Sequence, residues 1–318
     1  MQKITVVIFS ILIAAFMSPV THSYAGVPLN NLEGVGGIAY NPVAYTAGQP
    51  WEASRPSESG TAENPSPKKD AEKESLFSLK NIFSKPQTGA WYVRLNNWAP
   101  GSDIDWGNIG AAETFFKRVE VSYGYQFVAI GGGSNVHKNS IGVKGLLLEE
   151  NFKGLNFIPA VSAGTIWKHS DVSLTSDIHS SAWDFYLVAT KMITQLPMPV
   201  LLSAGVLSTQ GRVTGVLGFD HKRDYGKAFA NIDIIPFNNI VINNTELGSI
   251  AVGFEWKQGA RYNDWKDKDY LDAHVAWFAN KNLSLVAAYT YTGNEQSKYN
   301  GGKYGLGSGF VCSIQYAF

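Results

Sequence analysis

The side chains best suited to chemistry are five histidines, His137, His169, His179, His221 and His274, since covalent catalysis needs a nucleophile beside a base. No G-x-S-x-G elbow or comparable turn accompanies any of them. All but His274 fall in stretches read as loops, where a solvated imidazole needs no further explanation. Asp272 and His274 share one strand face and read as a hydrogen-bonded pair. His169, Asp171, Asp177 and His179 are donors of metal-binding type, but their spacing fits neither zinc nor calcium patterns. The run Gly131 to Gly133 follows a strand with no helix signal behind it, so a phosphate cradle is not expected. The sequence therefore predicts no catalytic, cofactor-binding or metal-binding residue, and no enzyme.

A second set of polar residues is more regular. Tyr92, Arg94, Glu113, Glu120, Lys144 and Lys168 recur in phase with alternating apolar residues, and Asp184, Asp233, Glu255, Asp272 and His274 do the same further on. Such a pattern predicts side chains that line the lumen of a barrel, where mixed charges either border a water-filled pore or pair across it and close it. Glu113 and Glu120 are expected to meet across a hairpin at Lys117-Arg118, forming an acidic patch.

The elements that would hold these residues are strands. Lys3 is followed by a largely apolar run from Ile4 to Phe16, and Ser23-Tyr24-Ala25 is a small-residue site, so residues 1–25 read as a signal peptide. No cysteine at that junction suggests a lipoprotein, and no second apolar run is long enough for a membrane helix. A formal net charge of +0 gives no nucleic-acid footprint. The only cysteine, Cys312, cannot form an internal disulfide, so stability must come from elsewhere. A closed barrel supplies it by pairing every backbone group in the hydrocarbon.

Residues 26–49 are glycine-rich and can be either a segment folded into the lumen or an additional strand. Pro50 to Glu74 is rich in Pro, Ser, Glu and Lys and reads as a flexible linker, with a short amphipathic helix between Leu76 and Phe83 completing a 50–87 connection. From residue 88 onward, period-two segments alternate with polar breaks. Twelve are counted, near 88–96, 104–116, 119–129, 139–148, 156–168, 182–193, 200–209, 226–235, 247–257, 270–279, 282–292 and 306–318; fourteen result if 32–40 and 213–220 join the wall. In the third, Val121, Tyr123, Tyr125 and Phe127 oppose Glu120, Ser122, Gly124 and Gln126. Short and long breaks alternate, with 236–246 less short than the scheme wants. The fold class is thus an all-β, antiparallel transmembrane barrel of the outer membrane of a Gram-negative cell.

The blocks NLEGVGGIAYNPVAYTAG, AAETFFKRVEVSYGYQF, DFYLVATK and HVAWFANKNLSLVAAY resemble the uncharacterised proteobacterial family known as domain of unknown function 3034. That resemblance implies an outer-membrane barrel and supplies no activity. The expected partners are outer-membrane lipid and lipopolysaccharide, together with the barrel-assembly machinery, reached through a final strand that ends in Phe318. The expected function is a channel for small solutes, or else a structural or partner-binding barrel with an occluded lumen. No cofactor and no nucleic acid is expected, and the sequence names no solute.

Overall fold

The computed structural model describes residues 30–47, 83–99, 102–131, 134–172, 178–243, 245–280, 282–292 and 305–318. The stretches expected to be a signal peptide, a linker and a short amphipathic helix lie almost wholly outside the described residues. Twelve antiparallel strands follow one another around a closed barrel in which β1 pairs with β12. They are β1 (Gln87–Ala99), β2 (Ser102–Phe115), β3 (Val119–Ile130), β4 (Ser134–Leu148), β5 (Ala160–Ser170) and β6 (Ser181–Ile193). The second half comprises β7 (Val200–Gly211), β8 (Phe219–Ile242), β9 (Thr245–Lys257), β10 (Tyr270–Phe278), β11 (Leu283–Tyr291) and β12 (Ser308–Ala317). Closure leaves no strand edge unpaired, which is what a β structure requires in a medium that cannot hydrogen-bond.

The alternation in sequence becomes an inside-out distribution of side chains. Tyr123, Phe127, Trp183, Phe185, Val252, Phe254, Phe310 and Ile314 are exposed on the outer face, whereas Lys138, Lys144 and Lys168 are fully buried. A water-soluble fold reverses this arrangement, so the outer face is matched to hydrocarbon. Cys312 is exposed on that face.

Gln87 pairs with Ala317, so the barrel begins and ends at one rim, which also carries the tight connections at 116–118, 194–199, 243–244 and 279–282. The opposite rim carries 171–180, 212–218, 258–269 and 292–307. Two connections expected to be longer or looser are not. β4 starts at Ser134, leaving only 131–133 before it, and β8 runs for 24 residues, absorbing most of 236–246. The β8–β9 register slips between Ile234 and Phe237, where Pro236 has no N–H to give the ladder.

Two corrections concern which way side chains face. The hairpin between β2 and β3 turns on Phe116 and Lys117, both with positive φ (53° and 56°), closed by the Arg118 amide on the Phe115 carbonyl at 3.0 Å. That is one residue earlier than Lys117-Arg118, and a one-residue slip exchanges faces. Thr114, not Glu113, is therefore the partner of Glu120, and Glu113 lies on the outer side, where it accepts a hydrogen bond from Ser84 Oγ at 3.2 Å. No Glu113–Glu120 acidic patch exists.

In β1, Trp91, Val93 and Leu95 are buried, and Tyr92 and Arg94 point outward, where both reach Asp105. The inward side of β1 is apolar because the interior beside it is packed with Leu32, Ile104 and Trp106 rather than filled with water. Of the histidines assigned to loops, His137, His169 and His221 lie in β4, β5 and β8, and only His179 lies between strands.

Candidate functional site: the stoppered lumen

Residues 30–47 form neither helix nor strand, yet every one of them is buried. They fold into a doubled-back loop inside the barrel, tied by single bridges between Asn30 and Gly36 and between Gly37 and Pro42. The segment enters and leaves by the rim that carries the barrel's ends. Asn30 bonds Gln315, two residues from the end of β12, and Ala47 bonds Thr114, one residue from the end of β2. Between them it rises toward the far rim, where Tyr40 meets Thr290 near the end of β11.

Glycine makes the close fit possible. Gly34 has φ +84°, and a Cβ there would sit 2.6 Å from the Tyr123 carbonyl oxygen. The wall answers with Gly110, Gly124 and Gly142, whose missing side chains leave a track along which Glu33, Gly34 and Val35 lie against bare backbone.

The backbone of this segment is satisfied partly within the loop, as where the Asn31 and Leu32 amides donate to the Val35 and Ala39 carbonyls at 2.8 and 2.9 Å, and partly by wall side chains. The Gly36 and Ala47 amides donate to Glu120 at 2.8 Å each, the Ala39 and Tyr40 amides to Glu255 at 3.1 and 2.8 Å, and the Ala44 amide to Thr190 at 2.8 Å. In return Lys144 donates to the carbonyls of Gly36 (3.1 Å) and Tyr45 (2.7 Å). Asn108 and Gln126 donate to Leu32, and Trp91 and Gln315 to Asn30. Tyr40 and Tyr45 anchor the loop further through Thr290 and Glu150, each at 2.6 Å.

Charge is compensated in two clusters. On one side Glu120 pairs with Lys144 at 2.7 Å, and Lys168 pairs with Asp184 at 2.6 Å and with Glu33 of the stopper. Burial alone would raise the Glu33 carboxyl, but the ammonium groups of Lys168, Lys138 and Lys257 hold it well below the usual carboxylate range. Across the lumen His274 bridges Asp233 at 2.7 Å and Asp272 at 2.8 Å, beside Glu255.

The far rim is closed by loops folded inward. Val213, Val216, Leu217 and Phe219 are buried there, and a bridge joins His179 to Phe219. Arg212 pairs with Asp220 at 2.6 Å and lies 5.2 Å from the Trp265 ring centre. Asp267 accepts from the Val213 amide at 3.0 Å and from Trp265 Nε1 at 2.6 Å; burial nevertheless pushes its carboxyl up to about 7. Lys138 spans the two closures, meeting Glu33 of the stopper at 3.3 Å and the Thr214 carbonyl of the cap at 2.7 Å.

Eight residues singled out in sequence thus sit buried in the lumen: Glu120, Lys144, Lys168, Asp184, Asp233, Glu255, Asp272 and His274. Tyr92, Arg94 and Glu113 do not. Lys138 and Lys257 were missed, although each is in phase with a residue already marked, Lys144 on β4 and Glu255 on β9. The strand reading stopped one residue short of Lys138.

This arrangement defines a class, an antiparallel transmembrane barrel whose lumen is stoppered by a segment from outside its own wall. The chain belongs to the family described as protein of unknown function DUF3034, which matches residues 94–304. No curated protein matches the sequence. Among solved structures, it is similar to the beta domain of the Bordetella autotransporter BrkA, at 12% identity, over 74% of this chain and 99% of that one, with a TM-score of 0.41. It is also similar to the Acinetobacter baumannii outer membrane protein Omp33, at 7% identity, over 75% of this chain and 100% of that one, with a TM-score of 0.40. Pseudomonas putida OprB is 9% identical over 76% of this chain and 94% of its own, with a TM-score of 0.32.

Proposed function

We propose that this protein is an outer-membrane channel for small solutes, closed by residues 30–47 and opened when they leave the lumen. One observation carries the reading: the lumen is filled by a segment many of whose main-chain groups are held by wall side chains. In barrels of about eight strands wall side chains alone fill the interior, whereas here a segment from outside the wall does so. A stopper tied by exchangeable polar contacts, on a long linker, can be withdrawn at a loop-closure cost that grows slowly with length. The aromatic outer face and the terminal Phe318 support lipid, lipopolysaccharide and the barrel-assembly machinery as partners, and nothing in the reading calls for an enzyme.

The test is conductance in planar bilayers. The full-length refolded protein is expected to conduct weakly, and a chain lacking residues 30–47 strongly. A Cβ at Gly142 would lie 3.0 Å from Val35 Cγ2 and 2.5 Å from the Ser122 hydroxyl, so Val35→Cys with Gly142→Cys and Ser122→Ala, in a Cys312→Ser background, should lock the stopper until a reductant is added. A deletion that folds, shown by heat-modifiable migration, but conducts no better than the full chain rejects the channel in favour of an occluded structural barrel.

A further inference from the structure

Glu33 is the sole charged residue between Asn30 and Ala47. Its Oε1 lies against the ammonium groups of Lys168 and of Lys138, the latter at 3.3 Å. A third lysine, Lys257, comes from β9 across the lumen, is 7% exposed, and has no hydrogen-bond or ion-pair partner among the described residues. It shares with Lys168, Asp184 and Asp267 the lining of a small chamber under the cap, and Lys168 in turn reaches Glu33 of the stopper. The wall and cap bring three ammonium groups to this place and two carboxylates, Asp184, which Lys168 already holds, and Asp267, which the Val213 amide and Trp265 already hold. Buried cations in excess of their counter-ions are costly, so the wall alone is a site that calls for an anion. The stopper supplies one, placed at the turn of the loop that reaches it.

We propose that Lys138, Lys168 and Lys257 form a binding site for the carboxylate group of a small solute, and that Glu33 occupies this site as a stand-in while the channel is closed. The inference rests on the channel reading above and gives it a solute class. The chamber has room for little more than about one water molecule, so an incoming carboxylate must take the place of Glu33 rather than sit beside it. Competition for the lysines then loosens the stopper, because a ligand that binds only the undocked state shifts the population toward it. With Glu33 released, that part of the loop keeps the neutral hydrogen bonds of Asn108 and Gln126 to the Leu32 carbonyl and the close packing of glycines on both sides.

The test reports docking separately from conduction. Val35 is buried, so in a Cys312→Ser background Val35→Cys should react slowly with a water-soluble maleimide in the refolded full-length protein. Sodium acetate is expected to raise the labelling rate severalfold over sodium chloride at equal ionic strength. Glu33→Gln should label fast without acetate, and Lys257→Met should blunt the acetate response. Lys257 makes no side-chain hydrogen bond or ion pair among the described residues, so this last variant is expected to fold. Equal acceleration by chloride, or an undiminished acetate response in Lys257→Met, overturns the site. Acetate-dependent labelling with no accompanying bilayer current leaves the anion site standing and sinks the channel, whereas current without acetate-dependent labelling does the reverse.

Discussion

The wall and the stopper answer one requirement, that no backbone group be left unpaired, in opposite ways. In the wall, amide and carbonyl bond to each other around a closed ring of strands, so side chains are free to face lipid on one side and the lumen on the other. In the stopper, main-chain groups at Gly36, Ala39, Tyr40, Ala44, Tyr45 and Ala47 bond to side chains of the wall. A ladder is cooperative and hard to open. Separate contacts with exchangeable partners can be replaced one by one by water, which is what a removable segment needs.

That contrast can be broken most forcefully at Glu120, which serves both regions. It is fully buried, pairs with Lys144, and accepts two stopper amides. Glu120→Ala strands Lys144 and is expected to cost about 3–5 kcal/mol in urea unfolding of the reconstituted protein. A loss below about 1 kcal/mol, the scale of an exposed pair, would mean that the lumen is wet and the stopper loosely held.

A charge on the outer face should hurt the wall alone. Val252→Lys is expected to destabilise the barrel by about 2–4 kcal/mol in a bilayer while leaving stopper docking, read by labelling at residue 35, unchanged. The converse variant is Gly34→Ala. Its φ of +84° and the Tyr123 carbonyl in its path should weaken docking by about 1–2 kcal/mol, with heat-modifiable migration as in the parent. If Gly34→Ala prevents folding, the segment is part of the folding core and not a removable stopper.

The smallest effect is local to the cap. The Asp267 carboxyl titrates at about 7 in the folded chain against 3.8 for the free side chain. A raised carboxyl favours the protonated folded form, so the cap is firmest below the lower value and loosens as pH rises through about 7. Hydrogen exchange of Val213 and Val216 should therefore speed up relative to the barrel between these limits, and Asp267→Asn should flatten the dependence. Equal exchange at pH 5 and pH 8, after correction for intrinsic rates, would refute it.

Strand number and most facing were legible because a lipid face and a polar lumen impose period two on every span, as Val121, Tyr123 and Phe127 show against Glu120, Ser122 and Gln126. That rule failed where its premise failed. Beside β1 the interior is apolar, so Trp91, Val93 and Leu95 turn inward and Arg94 outward. Glu113 failed for a different reason, a turn placed one residue late. The glycines of residues 34–37 announced a close approach but not its partner, since Gly110, Gly124 and Gly142 reveal themselves as a track only once β2, β3 and β4 are side by side. Lys257 could not be read as unpaired, because pairing is a property of the opposite wall.

Lys138 holds the stopper's carboxylate with one contact and the cap's Thr214 carbonyl with another. One ammonium group thus joins the closure that enters from one rim to the closure built on the other. Whatever frees Lys138 from Thr214 on one side alters what it offers Glu33 on the other, and thermodynamic reciprocity makes the influence equal in both directions. For this side chain, loosening of the cap and loosening of the stopper are two ends of one equilibrium.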